Sequence, residues 1–317
     1  MLDSFPRFAN QAGGVAGSAN GAIALQDRYI LVDDVRTRYR VAGTHGPAIL
    51  LIHGLGASLE AWIRNLSPLG EKFRVYAPDL VWFGRSDKPE RPVTRESFPR
   101  FITGFMDALG LERAVLVGNS MGGMVASKTA LDYPERVSGL ALVSSAGFGR
   151  ELGWWLRLRT LPIMSRPVRM SRRTARWAAS WIAHDPSVIT DDLLDLTIEL
   201  GARPDNSSAY HRVLCSGADW RGLKPLVLRE IRDAVHALRL PALIIWGKQD
   251  RVIPVAHAHV AHREIAGSEL HIMDPCGHAP MLERPDEFNA LIGKFVGERV
   301  ERTGASRSSP SAQTYMP

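Results

Sequence analysis

The ten residues Ala114-Val-Leu-Val-Gly-Asn-Ser-Met-Gly-Gly123 restrict the fold more than any other part of the chain. Residues 114–117 are apolar and suit a buried strand, and they run directly into Gly118, Asn119, Ser120, Met121 and Gly122. Residues 123–131 then read as a helix. A G-x-S-x-G pattern placed between a strand and a helix forms a tight elbow with the serine at its apex. The glycines are steric: strand and helix backbones approach so closely at such a turn that Cβ atoms would clash. The serine hydroxyl is left accessible beside a helix N-terminus, whose partial positive charge favours a developing anion. Two nucleotide-binding alternatives fall away, because G-x-G-x-x-G is absent and no lysine stands where a phosphate loop needs one.

The remaining apolar runs place this turn in a sheet. Residues 29–32 and 35–41 read as a hairpin around Asp33 and Asp34. Residues 48–52 are continuously apolar, which suits a strand buried on both faces of a parallel sheet. Further strands are expected over 73–77, 137–143, 241–246 and 269–273, and helices over 95–109, 255–265 and 285 to about 299. This alternation implies an α/β fold with a mostly parallel central sheet covered by helices. It stops between 148 and 236, where helix-like spacing is broken by Pro162, Pro167, Pro186 and Pro204. We read 27–147 and 237–300 as the core and 148–236 as a helical cap inserted after the sixth strand. Residues 1–26, rich in Gly, Ala, Ser and Asn, read as a loosely attached arm, and the Ser-rich 301–317 as a disordered tail.

At 317 residues and 45% hydrophobic, the chain can bury a sizeable core. It contains no run of about 18 apolar residues, so no membrane span is expected. The N-terminal segment does not resemble a secretory signal. Cys215 and Cys276 give neither a disulfide framework nor a metal spacing, which fits a cytoplasmic location. The net charge of +6 is concentrated locally: Arg150 to Arg176 holds eight arginines and one acid, Glu151, interleaved with Trp154 and Trp155, and Trp177 and Trp181 follow. Such a segment suits a cap whose apolar side covers a pocket while the arginines face water, the reading preferred here. A weak contact with a lipid surface is the alternative. No nucleic-acid module accompanies the segment, so no nucleic-acid partner is expected. His257, His259 and His262 do not share a helix face and read as helix surface. No metal and no cofactor is called for.

Acyl transfer by a serine requires a base, a carboxylate that fixes the base's tautomer, and donors for the oxyanion. In an open parallel sheet these belong on loops at the carboxyl ends of strands. Asp250 lies four residues past Trp246, in Gly247-Lys-Gln-Asp250, and His278 follows the run ending near Met273. The order Ser120, Asp250, His278 is consistent with a triad of Ser…Asp…His type.

His53-Gly-Leu-Gly56, Asp79 with Gly84-Arg-Ser86, Gly118-Asn-Ser-Met-Gly122, Gly247-Lys-Gln-Asp250 and Gly277-His278 together resemble the α/β-hydrolase superfamily, in its short, capped esterase and lipase branch. The resemblance spans about 27 to 299. It implies an oxyanion hole formed by the backbone N–H groups of Leu55 and Met121, with Ser120, Asp250 and His278 as catalytic residues. His53 is then a structural hydrogen-bonder, and Asp79 and Ser86 stabilise the neighbouring loop. The substrate pocket is expected to include His53, Gly54, Trp82, Asn119, Phe148 and Trp154. The expected activity is hydrolysis of small to medium acyl esters, the partner a small-molecule ester, and the oligomeric state stays open. Asn119 and Met121 also resemble a rival branch, carbon–carbon hydrolases of meta-cleavage diketo acids. Those typically carry tryptophan after the catalytic histidine and a glycine-richer oxyanion loop, where this chain has Ala279 and Leu55. A low-turnover binding protein on the same fold is a third reading.

Overall fold

The computed structural model describes residues 25–164 and 170–300; the expected N-terminal arm, apart from its last two residues, and the C-terminal tail lie outside them. The first half of the chain holds six strands: β1 (Arg28–Val32), β2 (Val35–Ala42), β3 (Ala48–Ile52), β4 (Arg74–Pro78), β5 (Ala114–Asn119) and β6 (Val137–Val143). Helices α1 (Leu66–Gly70), α2 (Ser97–Ala108) and α3 (Met121–Asp132) lie between them. The segment after β6 carries α4 (Trp154–Leu158), α5 (Arg172–Ile182), α6 (Asp191–Ala202), α7 (Pro204–Gly217), and α8 (Pro225–Glu230). Between α7 and α8 a two-residue ribbon, β7 (Ala218–Asp219) with β8 (Gly222–Leu223), interrupts what the sequence suggested was purely helical. The core resumes with β9 (Ala242–Gly247), α9 (Ala256–Glu264), β10 (Glu269–Met273), α10 (Pro280–Glu283) and α11 (Pro285–Lys294). The final helix then widens into a π-helical turn, Phe295–Val300.

The eight-stranded sheet has the order β1-β2-β4-β3-β5-β6-β9-β10. β2 pairs antiparallel with β1 and β4, and every other pairing is parallel. All five residues of β3 and all six of β5 are buried, as strands covered on both faces must be. Alternate residues feed two cores. Leu50, Ile52, Leu116 and Leu142 join Phe101, Phe105 and Val125 of α2 and α3 on one face. Ile49, Leu51, Val115 and Val143 join Leu66, Met281, Phe288 and Phe295 on the other. Burying one such aliphatic side chain is worth roughly 1.5–3 kcal/mol, so a one-residue slip of a central strand would be very costly.

A buried ionic cluster fastens the antiparallel edge to this core. Arg38, only 2% exposed, donates to Asp27, Glu60 and Asp79. Asp79 also accepts from the backbone N–H groups of Leu59 (2.7 Å) and Arg85 (2.8 Å). Ser86 donates to the Asp79 carbonyl and accepts from Arg38 N–H. These bonds hold the loops flanking the carboxyl edge of β4. Among the described residues no helix is long and apolar enough to cross a membrane.

Candidate active site

Ser120 sits between β5 and α3 with φ +57° and ψ −120°, a conformation that non-glycine residues rarely hold. Its backbone is fixed on both sides: its N–H donates to Val143 O at 2.9 Å, and its carbonyl accepts from Ala146 N–H at 3.0 Å and Gly123 N–H at 3.1 Å. Such strain persists only where the surroundings over-determine it. The flanking glycines are obligatory. A Cβ on Gly118 would lie 2.2 Å from Gly122 O, and one on Gly122 would lie 2.2 Å from Ile52 O.

The other two residues arrive from the ends of β9 and β10. Asp250 Oδ1 accepts from Val252 N–H (2.8 Å) and Ile253 N–H (2.9 Å), which aims Oδ2 at His278 Nδ1, 2.8 Å away. The Asp250 side chain is fully buried. With Nδ1–H donated to the carboxylate, Nε2 is left as the basic nitrogen, the tautomer that can accept a serine proton. Ser120 and His278 border the same cavity. No hydrogen bond links the Ser120 hydroxyl to the imidazole among the described residues; contacts of this kind commonly tighten only in a substrate complex.

The main chain of His278 is itself clamped. Its carbonyl accepts from Asn119 Nδ2 at 3.1 Å, and its N–H donates to Ile182 O at the end of α5 at 2.7 Å. Glu283 supports the loop from below, its carboxylate accepting from Gly277 N–H at 2.9 Å and from His184 N–H at 2.8 Å. One carboxylate thus joins the histidine loop to the segment leaving α5. The sequence offered no signal for Glu283.

Leu55 and Met121 border the cavity with Ser120. Met121 is the first residue of α3, where N–H groups have no intrahelical acceptor. Leu55 precedes Gly56, whose φ of +71° lets the ring of Tyr210 from α7 lie over it; a Cβ there would be 2.8 Å from that ring. Burial pushes the Tyr210 phenol up to about 12, so it stays neutral.

The cavity holds about 400 Å³ and is mostly aliphatic, with Met121, Met124, Leu152, Trp155, Val213 and Ile253 in its wall. None of the six residues expected in the pocket borders it. His53 is wholly buried behind the loop: Leu80 N–H donates to its Nε2 at 3.0 Å, and its Nδ1 lies 2.8 Å from Gly54 O. Gly54 faces the Ser120 Cβ, with no side chain to offer. Trp82 is buried edge-on against Phe98 and donates to Pro89 O at 2.9 Å, so Phe98 rather than Trp82 reaches the cavity. Asn119 points to the His278 backbone, and Phe148 is 1% exposed within the core. Trp154 is turned outward, 48% exposed, and the next residue, Trp155, borders the cavity instead.

The basic stretch after β6 is also more balanced than it reads. Arg172 and Arg176 pair with Asp191 of α6, and Arg172 also with Asp195. Trp154 meets Trp177 and Trp181 edge-to-face, and those two rings are tilted against each other, with Trp177 46% exposed. Of the three histidines of α9, His257 is buried and bonded to Glu151 at 2.9 Å, which corrects its reading as helix surface. His262 bonds Ser268 at 2.9 Å and His259 faces out. Among the described residues no group of three His, Cys, Asp or Glu side chains could hold a metal ion.

Comparison with known proteins agrees with this architecture. A family model described as alpha/beta hydrolase fold matches residues 47–285. A 2-hydroxymuconate semialdehyde hydrolase from a Pseudomonas species is 30% identical, covering 86% of this chain and 94% of that protein. The solved structure of a meta-cleavage product hydrolase from Pseudomonas fluorescens is 30% identical, with a TM-score of 0.72 over 86% of this chain and 97% of that one. The structure of a membrane phospholipase A, described as a bacterial virulence factor, is 29% identical, with a TM-score of 0.72 over 90% of this chain and 87% of that one.

Proposed function

Because the chain belongs to the α/β-hydrolase fold family, we propose that Ser120, His278 and Asp250 form a triad that hydrolyses carboxylic esters of apolar acyl chains. In this reading His278 Nε2 takes the Ser120 proton as Oγ attacks the ester carbonyl. Asp250 holds the imidazole and stabilises the imidazolium. The N–H groups of Leu55 and Met121 receive the oxyanion. His278 then protonates the departing alcohol, and water, activated by the same imidazole, releases the acid from the acyl-enzyme.

The observation that carries the ester reading is the aliphatic wall beside Ser120, formed by Leu55, Met121, Ile182, Val252 and Ile253. A second reading is favoured by similar proteins that act on meta-cleavage products: carbon–carbon hydrolysis of a diketo acid, which uses the same catalytic residues. A dianionic substrate of that kind needs a cation near the nucleophile. Of the cations bordering this cavity, Arg95 is paired with Glu96 and Glu230 and Lys128 with Asp132, while Lys224 donates to the neutral carbonyl of Cys215. The discriminating experiment compares kcat/KM for a p-nitrophenyl acyl ester and for a dienol diketo acid. The ester is expected to be turned over at least tenfold faster, and the reverse ratio would assign the chain to the carbon–carbon reaction.

A further inference from the structure

α3 presents one continuous stripe to the cavity. Ser120 stands at its start, followed by Met121, Met124, Val125 and Lys128, all bordering the same space. The spacing of one, four, five and eight residues from Ser120 places these side chains on one helix face. Phe98 and Pro99 of α2 face this stripe from the core, and Leu226 and Val227 of α8 from the cap. At the end of the stripe the chemistry changes. Arg95 donates to Glu230 at 3.0 Å, bridging core and cap, and Lys128 pairs with Asp132. The Arg95 side chain is 61% exposed, so the cavity border reaches the protein surface at this ion pair.

We propose that this stripe is an acyl-binding arm that selects straight chains of medium length, with Met124 as the specificity-determining residue; the proposal rests on Ser120 being the nucleophile. The arm acts as a ruler because its start and end are both on α3. Eight residues of helix rise by about 12 Å. A fully extended chain covers roughly 1.2 Å per bond, so an acyl group of about ten to eleven carbons spans the distance. Up to that length each added methylene leaves water for an aliphatic wall. Beyond it, the chain meets an ion-paired rim and then solvent, and further carbons gain nothing.

The test is kcat/KM across p-nitrophenyl esters from two to sixteen carbons, with fluorophosphonate labelling run in parallel. The ruler predicts a rise of about two- to fourfold per methylene that levels off at about ten to eleven carbons. Met124→Trp fills the arm and is expected to lower the ratio of ten-carbon to two-carbon activity by at least about tenfold. Met124→Ala, which removes contact area without bulk, should lower the same ratio by a few fold, so the test survives a folding failure of the tryptophan variant. Labelling at Ser120 together with a maximum at two to four carbons, or a ratio unmoved in both variants, overturns the ruler while leaving the serine hydrolase reading intact. No labelling and no ester turnover overturns both.

Discussion

The side-chain amide of Asn119 donates to the carbonyl oxygen of His278 at 3.1 Å, and to that of Val143 at 3.2 Å. The residue before the serine therefore carries the backbone of the histidine, although 159 positions separate them. The histidine loop cannot move away from the elbow without breaking this bond, and the bond from His278 N–H to Ile182 O ties it separately to the end of α5.

Asn119→Ala should consequently act on geometry more than on stability. It removes two buried hydrogen bonds of ordinary net worth, about 0.5–1.5 kcal/mol each, while a displaced base costs about ten- to hundredfold in rate. Steady-state kinetics with an ester, alongside thermal melting, should show kcat reduced by that factor in a protein that still unfolds cooperatively. An unchanged kcat would mean that the loop is held by its other bonds alone.

Asp250→Asn keeps the size of the side chain but replaces an acceptor with an amide that can donate. The imidazole would then present the wrong tautomer to Ser120, and kcat should fall by about 10⁴. A loss of less than about tenfold would remove Asp250 from the triad.

Stability should fall in two steps as pH drops. Burial holds the His53 imidazole below its ordinary 6.5, against the pull of Asp79. Its bond from Leu80 N–H also requires an unprotonated Nε2. The unfolded chain therefore takes up this proton first, and the stabilisation present above 6.5 is lost on acidification. Burial also opposes ionisation of Glu60, but hydrogen bonds from Arg38 and Ser58 outweigh it and hold the carboxyl below its ordinary 4.5. Its contribution is complete above that value and is lost as pH falls through the lower native one. Melting temperatures from pH 8 to pH 3 should thus decline first near 6.5 and again below 4.5. In Glu60→Gln the melting temperature at pH 7 should be lower and the second step shallower; a profile parallel to that of the parent chain contradicts the assignment.

Cys276 lies two residues before His278, so its proximity alone would let a thiol reagent attached there block the site. The side chain is fully buried, and burial pushes its thiol up, so little thiolate forms at neutral pH. Iodoacetamide under native conditions should leave ester hydrolysis unchanged. Inactivation that tracks modification of Cys276 would show that the loop opens.

The elbow, the sheet and the Asp250–His278 pair could be read from the sequence because each is local. Gly118 and Gly122 mark a turn by their own sterics, Asp250 follows the apolar run 241–246, and His278 follows a shorter mixed run ending at Met273. The cavity wall could not be read in this way. Trp82 and Phe148 are large and near the loops, yet the core absorbs both, and the choice between Trp154 and Trp155 depends on which way α4 is rotated. The same limit hid Glu283 and the acidic partners of Arg172 and Arg176. In those cases a charge is matched across elements distant in sequence, and a pattern along the chain carries no record of it.

The most direct test of the triad is intact-protein and peptide mass spectrometry after reaction with a fluorophosphonate, on the parent chain and on Ser120→Ala. One adduct per chain, located on Ser120 and absent from the variant, with kcat lowered by around 10⁶, is the predicted result. An adduct elsewhere, or a Ser120→Ala chain that keeps more than about a tenth of the activity, would contradict the assignment of Ser120 as nucleophile.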